Sequence, residues 1–101
     1  MTRTTIDEMK RRRLATMSDD ERAEFDETYE ATRLALEVGE RVRDARGAAG
    51  LTQRELAARM STSQAAVARL EAGGTGATLT TLQKVASALD LTVSIELTAA
   101  G

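Results

Sequence analysis

The chain has 101 residues and a formal net charge of −2, which is enough length for one small domain and not for two. It contains no His and no Cys, which excludes disulfides, zinc fingers and Cys or His nucleophiles. Since the acids surround no nucleophile motif and no apolar run approaches a membrane span, we expect a cytoplasmic protein that is not an enzyme and uses no cofactor or metal.

Residues 1–17 are interpreted as an amino-terminal arm that is either mobile or a short helix. Thr5, Ile6, Asp7 and Glu8 have the pattern of a helix capping box, and the basic run Lys10–Arg13 follows them. That run is suited to contact DNA, to pair with the acidic segment after it, or to remain free. The sequence leaves these three roles open.

Residues 18–37 are predicted to form an acidic helical extension. Ser18 is a suitable N-cap, and seven acids fall between residues 19 and 30 beside Phe25 and Tyr29. An acidic face with two aromatic anchors suits a cationic partner. The alternative is a solvated helix whose apolar stripe folds onto its own domain. Gly39 then interrupts the helical pattern, and we expect either a bend or a helix boundary there.

Residues 38–90 have the pattern of several short helices, two of them separated only by a tight turn. Thr52 and Glu55 form a second capping box, "STS" at 61–63 breaks that helix, and Ser63 can cap the next one. Thr78 is the expected cap of the last helix. The spacing predicts that the following side chains face inward: Leu56, Ala57 and Met60, then Ala66, Val67 and Leu70, then Leu79, Leu82, Val85, Ala86 and Leu89.

The helix that follows Ser63 has an unusual outward face. Gln64 and Arg69 lie there among Ser63, Ala65 and Ala68, whose side chains are small. Small neighbours allow a helix to lie close to base edges, and Gln and Arg are suited to bidentate pairing with adenine and guanine. An ordinary solvated helix face is the alternative, since Ala and Gln are also good helix formers.

Residues 91–98 change to an alternating pattern, which is typical of a strand. Leu91, Val93, Ile95 and Leu97 alternate with polar residues. One strand alone is unstable in water and the sequence offers no second strand, so we expect pairing with the same strand of a second copy. The alternative is an extended tail that packs on its own helices.

The arrangement closely resembles the Xre family of helix-turn-helix proteins, the Cro and phage-repressor type, over about residues 38–92. The resemblance is carried by GLTQ-x-x-LA at 50–57, Ser63-Gln64, Arg-Leu-Glu-x-Gly at 69–73 and Leu-x-x-Leu-x-x-Val-Ala-x-Ala-Leu at 79–89. It implies an all-α, lambda-repressor-like bundle with an amino-terminal helical extension and a carboxy-terminal strand that pairs across a dimer. Ser61 stands where the family usually has Gly, and a strained turn is expected there.

The resemblance also implies which residues contact DNA. Gln53 would contact a phosphate, residues after the turn would meet base edges, and the Gly-rich loop and last helix would reach the far backbone. The implied set is Gln53, Thr62, Ser63, Gln64, Ala65, Ala68, Arg69, Thr75 and Lys84.

The segments that flank the domain resemble those of HigA- and HipB-type antitoxins. This implies a homodimeric repressor of its own operon, bound to a near-palindromic operator, with a small basic toxin of the RelE/HigB kind as partner. The toxin would contact Glu24, Phe25, Glu27 and Tyr29. A stand-alone Xre-type regulator without a toxin remains an alternative, as does a helix-turn-helix fold used only for protein–protein interaction.

Overall fold

The computed structural model describes residues 11, 18–74 and 77–100. Within these residues the chain forms four α-helices: α1 (Asp19–Ala48), α2 (Gln53–Arg59), α3 (Gln64–Glu71) and α4 (Leu79–Ala88). The expected helical bundle is thus confirmed for the described part. The arm at 1–17 lies outside the described residues except for Arg11, as does Thr75. None of the described helices is both long and apolar enough to cross a membrane.

The chain divides into two compact units, residues 1–32 and residues 33–101. Apart from Arg11, the described part of the first unit is the beginning of α1 and its cap. Ser18 Oγ accepts a hydrogen bond from the Glu21 backbone N–H at 3.2 Å, and three acids occupy the first turn of the helix. The predicted helix start is confirmed, because Ser18 satisfies one of the backbone donors that a helix leaves free at its beginning.

The caps of the three shorter helices also form as predicted. Thr52 Oγ1 accepts from the Glu55 backbone N–H at 3.1 Å, and Glu55 Oε1 accepts from the Thr52 backbone N–H at 3.0 Å. This second bond lowers the pKa of the Glu55 carboxyl. Ser63 and Thr78 cap α3 and α4 in the same way. Each such cap contributes about 1 kcal/mol to stability.

The core of the second unit lies where α1, α2, α3 and α4 meet. Leu56 and Val67 are its fully buried large side chains, at 0% and 1% exposure. The rest of the buried apolar core comprises Val42, Ala57, Leu70, Val85 and Ala86. These residues confirm the predicted inward stripes. Leu79 is the exception, because it is the first residue of α4 and its side chain stays 66% exposed.

Gly39 does not end the first helix, since α1 continues through it to Ala48; of the bend or boundary expected there, the boundary is wrong. The reason is a close packing contact. A Cβ atom at Gly39 would lie 2.5 Å from the Glu71 carbonyl oxygen and 2.8 Å from that of Leu70. Glycine is therefore required for α1 to approach the last turn of α3, although it is a weak helix former.

Residues 91–100 adopt no helix and no strand in the described single chain. A strand needs a hydrogen-bonded neighbour, so strand pairing between copies stays a prediction. The tail does run beside its own helices and lines an open groove with α1 and α4. Its apolar side chains are nevertheless poorly covered, with Leu91 at 53%, Ile95 at 63% and Leu97 at 94% exposure.

Candidate functional site

The turn between α2 and α3 brings the second helix of the pair to the surface. α2 is capped at its carboxyl end by Met60, Ser61 adopts a φ of +55°, and the Thr62 backbone N–H donates to the Ala57 carbonyl at 2.9 Å. Ser61 thus occupies the left-handed region that favours glycine, as the family resemblance implied. The turn places Ser63 as the cap of α3 and leaves Thr62 and Ser63 exposed.

The outward face of α3 carries most of the residues expected to contact DNA. Gln64, Ala65 and Arg69 are exposed, and Ala68 is half-buried. The opposite face is anchored in the core by Val67 and Leu70. The helix is therefore held by its apolar side, and its first turn presents an amide beside the short side chain of Ala65.

Arg69 extends from the last turn of α3 along the loop that follows. A Cβ at Gly74 would lie 2.8 Å from Arg69 Cγ, so the aliphatic part of the arginine packs against this glycine. The loop is closed by the Gly74 backbone N–H, which donates to the Arg69 carbonyl at 2.8 Å. Arg69 forms no ion pair with any residue in the described part of the chain. Its guanidinium group is thus available to a ligand.

Gln53, the first residue of α2, is half-buried and does not simply project into solvent. Its Nε2 donates to Glu71 Oε1 at 3.1 Å. One amide proton is therefore used in a hydrogen bond inside the domain. The second proton and the amide oxygen remain available for contacts outside it. Lys84 is exposed on α4. The remaining residue of the predicted set, Thr75, lies outside the described residues.

The buried ion pair between Arg46 and Glu71 was not predicted. Arg46 Nε and Nη2 donate to Glu71 Oε2 and Oε1 at 2.7 and 2.9 Å, and Arg46 Nη1 donates to the Leu51 carbonyl at 2.9 Å. The side chains are 16% and 4% exposed. The hydrogen bonds from Arg46 outweigh the effect of burial and lower the pKa of the Glu71 carboxyl, while the same bonds raise the pKa of Arg46. Both groups therefore stay charged.

A signal for this pair was present in the sequence. Glu71 follows Val67 and Leu70 at helical spacing, so it lies on the inward stripe of α3. A carboxylate at an inward position needs a cationic partner, because a buried unpaired charge is strongly unfavourable. The sequence does not identify the partner, since Arg46 is one of several arginines before α2.

The residues expected to contact a toxin lie on α1 in the first unit. Glu24, Glu27 and Tyr29 are exposed and Phe25 is half-buried. The rings of Phe25 and Tyr29 stack with centroids 6.4 Å apart and an interplanar angle of 14°. The spacing of four residues thus brings the two aromatic side chains together on one side of the helix.

The tail and the second half of α1 form an apolar groove in the second unit. It has a volume of about 610 Å³ and is lined by Leu34, Val38 and Ala45 of α1, Val85 of α4, and residues of the tail. Three charged residues also line the groove: the cation is Arg41, and the anions are Glu37 and Glu96. The groove contains the predicted dimerisation residues Leu91, Val93 and Ile95, whereas Leu97 does not line it.

A capped helix-turn-helix with an exposed second helix is the arrangement typical of DNA-binding transcription regulators. The helix-turn-helix family model matches residues 42–95, which is more than half of the chain. The chain therefore belongs to the Xre/Cro-type helix-turn-helix family. No curated protein and no solved structure matches it.

Proposed function

We propose that the protein is a homodimeric repressor that binds a near-palindromic operator through α3. The observation that carries this proposal is the outward face of α3, where Gln64 and Arg69 stand among small side chains and Arg69 forms no ion pair within the described part of the chain.

Base contacts would come from the start and the last turn of α3. Gln64 and Arg69 supply the side chains suited to adenine and guanine, and Ala65 and Ala68 allow the helix to approach the bases. The phosphate backbone of the DNA would be bound by neutral and cationic side-chain donors around this helix. That set is Gln53, Thr62, Ser63, Thr75 and Lys84.

Two copies would present their α3 helices to successive major grooves, about 34 Å apart. Support for a dimer comes from the tail, whose alternating apolar residues remain largely exposed in the single chain. Pairing Leu91, Val93, Ile95 and Leu97 with the same residues of a second copy would satisfy their backbone groups and cover these side chains.

Within this class the protein is proposed to be the antitoxin of a toxin–antitoxin pair that represses its own operon. The support is the acidic beginning of α1, with the stacked rings of Phe25 and Tyr29 beside Glu24 and Glu27. Aromatic anchors surrounded by acids suit a small basic partner, such as a RelE/HigB-like toxin. A stand-alone repressor lacks this partner but shares the DNA-binding site.

DNA binding is tested by selecting double-stranded sites from a random library with the wild-type protein. We expect enrichment of a near-palindrome. Arg69→Ala should then lose about 1–3 kcal/mol of operator binding and relax specificity at one position in each half-site. Equal weakening on all DNA would make Arg69 a phosphate contact, and failure to enrich any sequence would refute the proposal.

The antitoxin role is tested by capture from the native cells, with mass spectrometry as the readout. The wild-type bait should retain a small basic protein that the Phe25→Ala/Tyr29→Ala bait loses, while both baits bind the selected operator equally. If both baits retain operator DNA and neither retains a protein partner, the protein is a stand-alone repressor. A protein partner without DNA would favour an interaction module.

A further inference from the structure

Glu71 has more contacts than an ion pair with Arg46 requires. It is the one charged residue that is buried among the described residues. Its Oε2 accepts from Arg46, and its Oε1 accepts both from Arg46 and from Gln53. A carboxylate can accept about four hydrogen bonds, so Glu71 has capacity for a contact outside the ion pair, and Gln53 uses it.

The contact with Glu71 determines how the amide of Gln53 is oriented. An ionised carboxylate only accepts, so Gln53 must turn its nitrogen, and not its oxygen, toward Glu71 Oε1. The amide nitrogen carries two protons, and one of them is used in this bond at 3.1 Å. A phosphate is also only an acceptor, so a useful contact with DNA needs the other proton. Without Glu71 the amide could rotate and present its oxygen to the phosphate.

A carboxylate close to the DNA backbone would by itself repel phosphate. Arg46 removes this difficulty, because it binds both oxygens of Glu71 and neutralises the pair. The pair is also fixed to the chain by the bond from Arg46 to the Leu51 carbonyl, two residues before Gln53. The carboxylate can therefore orient Gln53 at little electrostatic disadvantage.

We propose that Glu71 is a positioning residue for DNA binding, which holds the Gln53 amide so that its free N–H faces an operator phosphate. This rests on the proposed function, in which Gln53 contacts the backbone. Because Glu71 is the last residue of α3, the same carboxylate joins the phosphate-binding end of α2 to the base-reading helix. The phosphate contact and the base contacts are thereby kept in one fixed relation.

A double-mutant cycle on operator affinity tests the proposal. Removing Glu71 alone would leave Arg46 buried and unpaired, so the pair is replaced together by apolar residues, Arg46→Met/Glu71→Leu, with circular dichroism to confirm folding. This variant is compared with Gln53→Ala and with the triple variant, on the site that the wild type selects. A lost hydrogen bond to a charged acceptor corresponds to about a tenfold loss of affinity.

We expect Gln53→Ala and Arg46→Met/Glu71→Leu each to weaken binding about tenfold, and the triple variant to be no weaker than either. If the two losses of affinity multiply, to about a hundredfold in the triple variant, then Gln53 contributes to operator binding independently of Glu71. That result would overturn the proposal. So would an unchanged affinity of Gln53→Ala. A wild type that selects no site refutes the proposed function itself, which is a distinct result.

Nuclear magnetic resonance of the wild-type protein keeps the test decisive if the paired variant fails to fold. In free protein one side-chain amide proton of Gln53 should be shifted and slow to exchange with solvent. On addition of the selected operator the first proton should remain protected from exchange, and the chemical shift of the second amide proton should change. Loss of the first proton's protection on binding DNA would overturn the proposal, since Gln53 would then leave Glu71 to reach the phosphate.

Discussion

Replacing Gly39 by Ala should destabilise the domain, although the same change stabilises most helices. The added Cβ would lie 2.5 Å from the Glu71 carbonyl oxygen, 2.8 Å from the Leu70 carbonyl oxygen and 2.9 Å from the Glu71 carbonyl carbon. All three are backbone atoms at the end of α3, so no side-chain rotation can relieve the contact. Either α1 or α3 must move by several tenths of an ångström.

The two opposing effects can be compared in size. Alanine improves helix propensity by about 1 kcal/mol relative to glycine. Overpacking of a well-ordered contact costs about 1–3 kcal/mol, and the upper value applies here because the contacted atoms belong to the backbone of a packed helix. The net loss is then about 2 kcal/mol, which lowers Tm by about 10 °C in a domain of this size.

The measurement is urea and thermal unfolding followed by circular dichroism, with Gly47→Ala as the matched control. Gly47 belongs to the same helix, and a Cβ there would meet no atom within 4 Å. Gly47→Ala should leave stability unchanged or raise it by up to about 1 kcal/mol. Equal stabilisation by both substitutions would refute the argument that Gly39 is required by its contact with α3.

Two further predictions concern the tail and the ion pair. Val93→Lys/Ile95→Lys should give monomers in analytical ultracentrifugation, whereas Leu79→Lys, a change at a residue about as exposed as Ile95, should not; a persistent dimer in the first variant would exclude strand pairing. Since the folded-state pKa of Glu71 is lowered, its stabilisation should be complete above the usual pKa of about 4.3 and lost as the pH falls through the lower folded value. Urea unfolding between pH 7 and pH 3 should therefore show a weaker acid dependence in Arg46→Met/Glu71→Leu than in the wild type, and identical dependence would assign the effect to other carboxylates.

The sequence predicted those features that depend on residues close together in the chain. The four caps at Ser18, Thr52, Ser63 and Thr78 form as expected, because each requires only a side-chain oxygen and a backbone N–H three residues later. The left-handed turn at Ser61 was expected only through the family resemblance, because Gly usually stands at this position in the family.

The features that the sequence did not predict depend on distant parts of the chain. Gly39 was expected to disturb α1, because the sequence shows only that glycine has a low helix propensity. It does not show that the end of α3 packs against this residue. Leu79 satisfied the apolar spacing of α4 but lies in the first turn, outside the core. For Glu71, the inward position was readable, but its partners Arg46 and Gln53 were not.

Gly39 and Arg46 together explain how a small domain can hold α3, the exposed second helix of the helix-turn-helix. They are seven residues apart on α1, so they lie on one face of that helix, about 10 Å along its axis. Both meet Glu71: Gly39 contacts its backbone, and Arg46 binds its side chain. The last residue of α3 is thus fixed by two independent contacts, while the first turn of the helix, with Gln64, stays exposed. It follows that a substitution at Gly39, which need not contact DNA, should change the angle of α3, and with it the choice of operator, before it unfolds the domain.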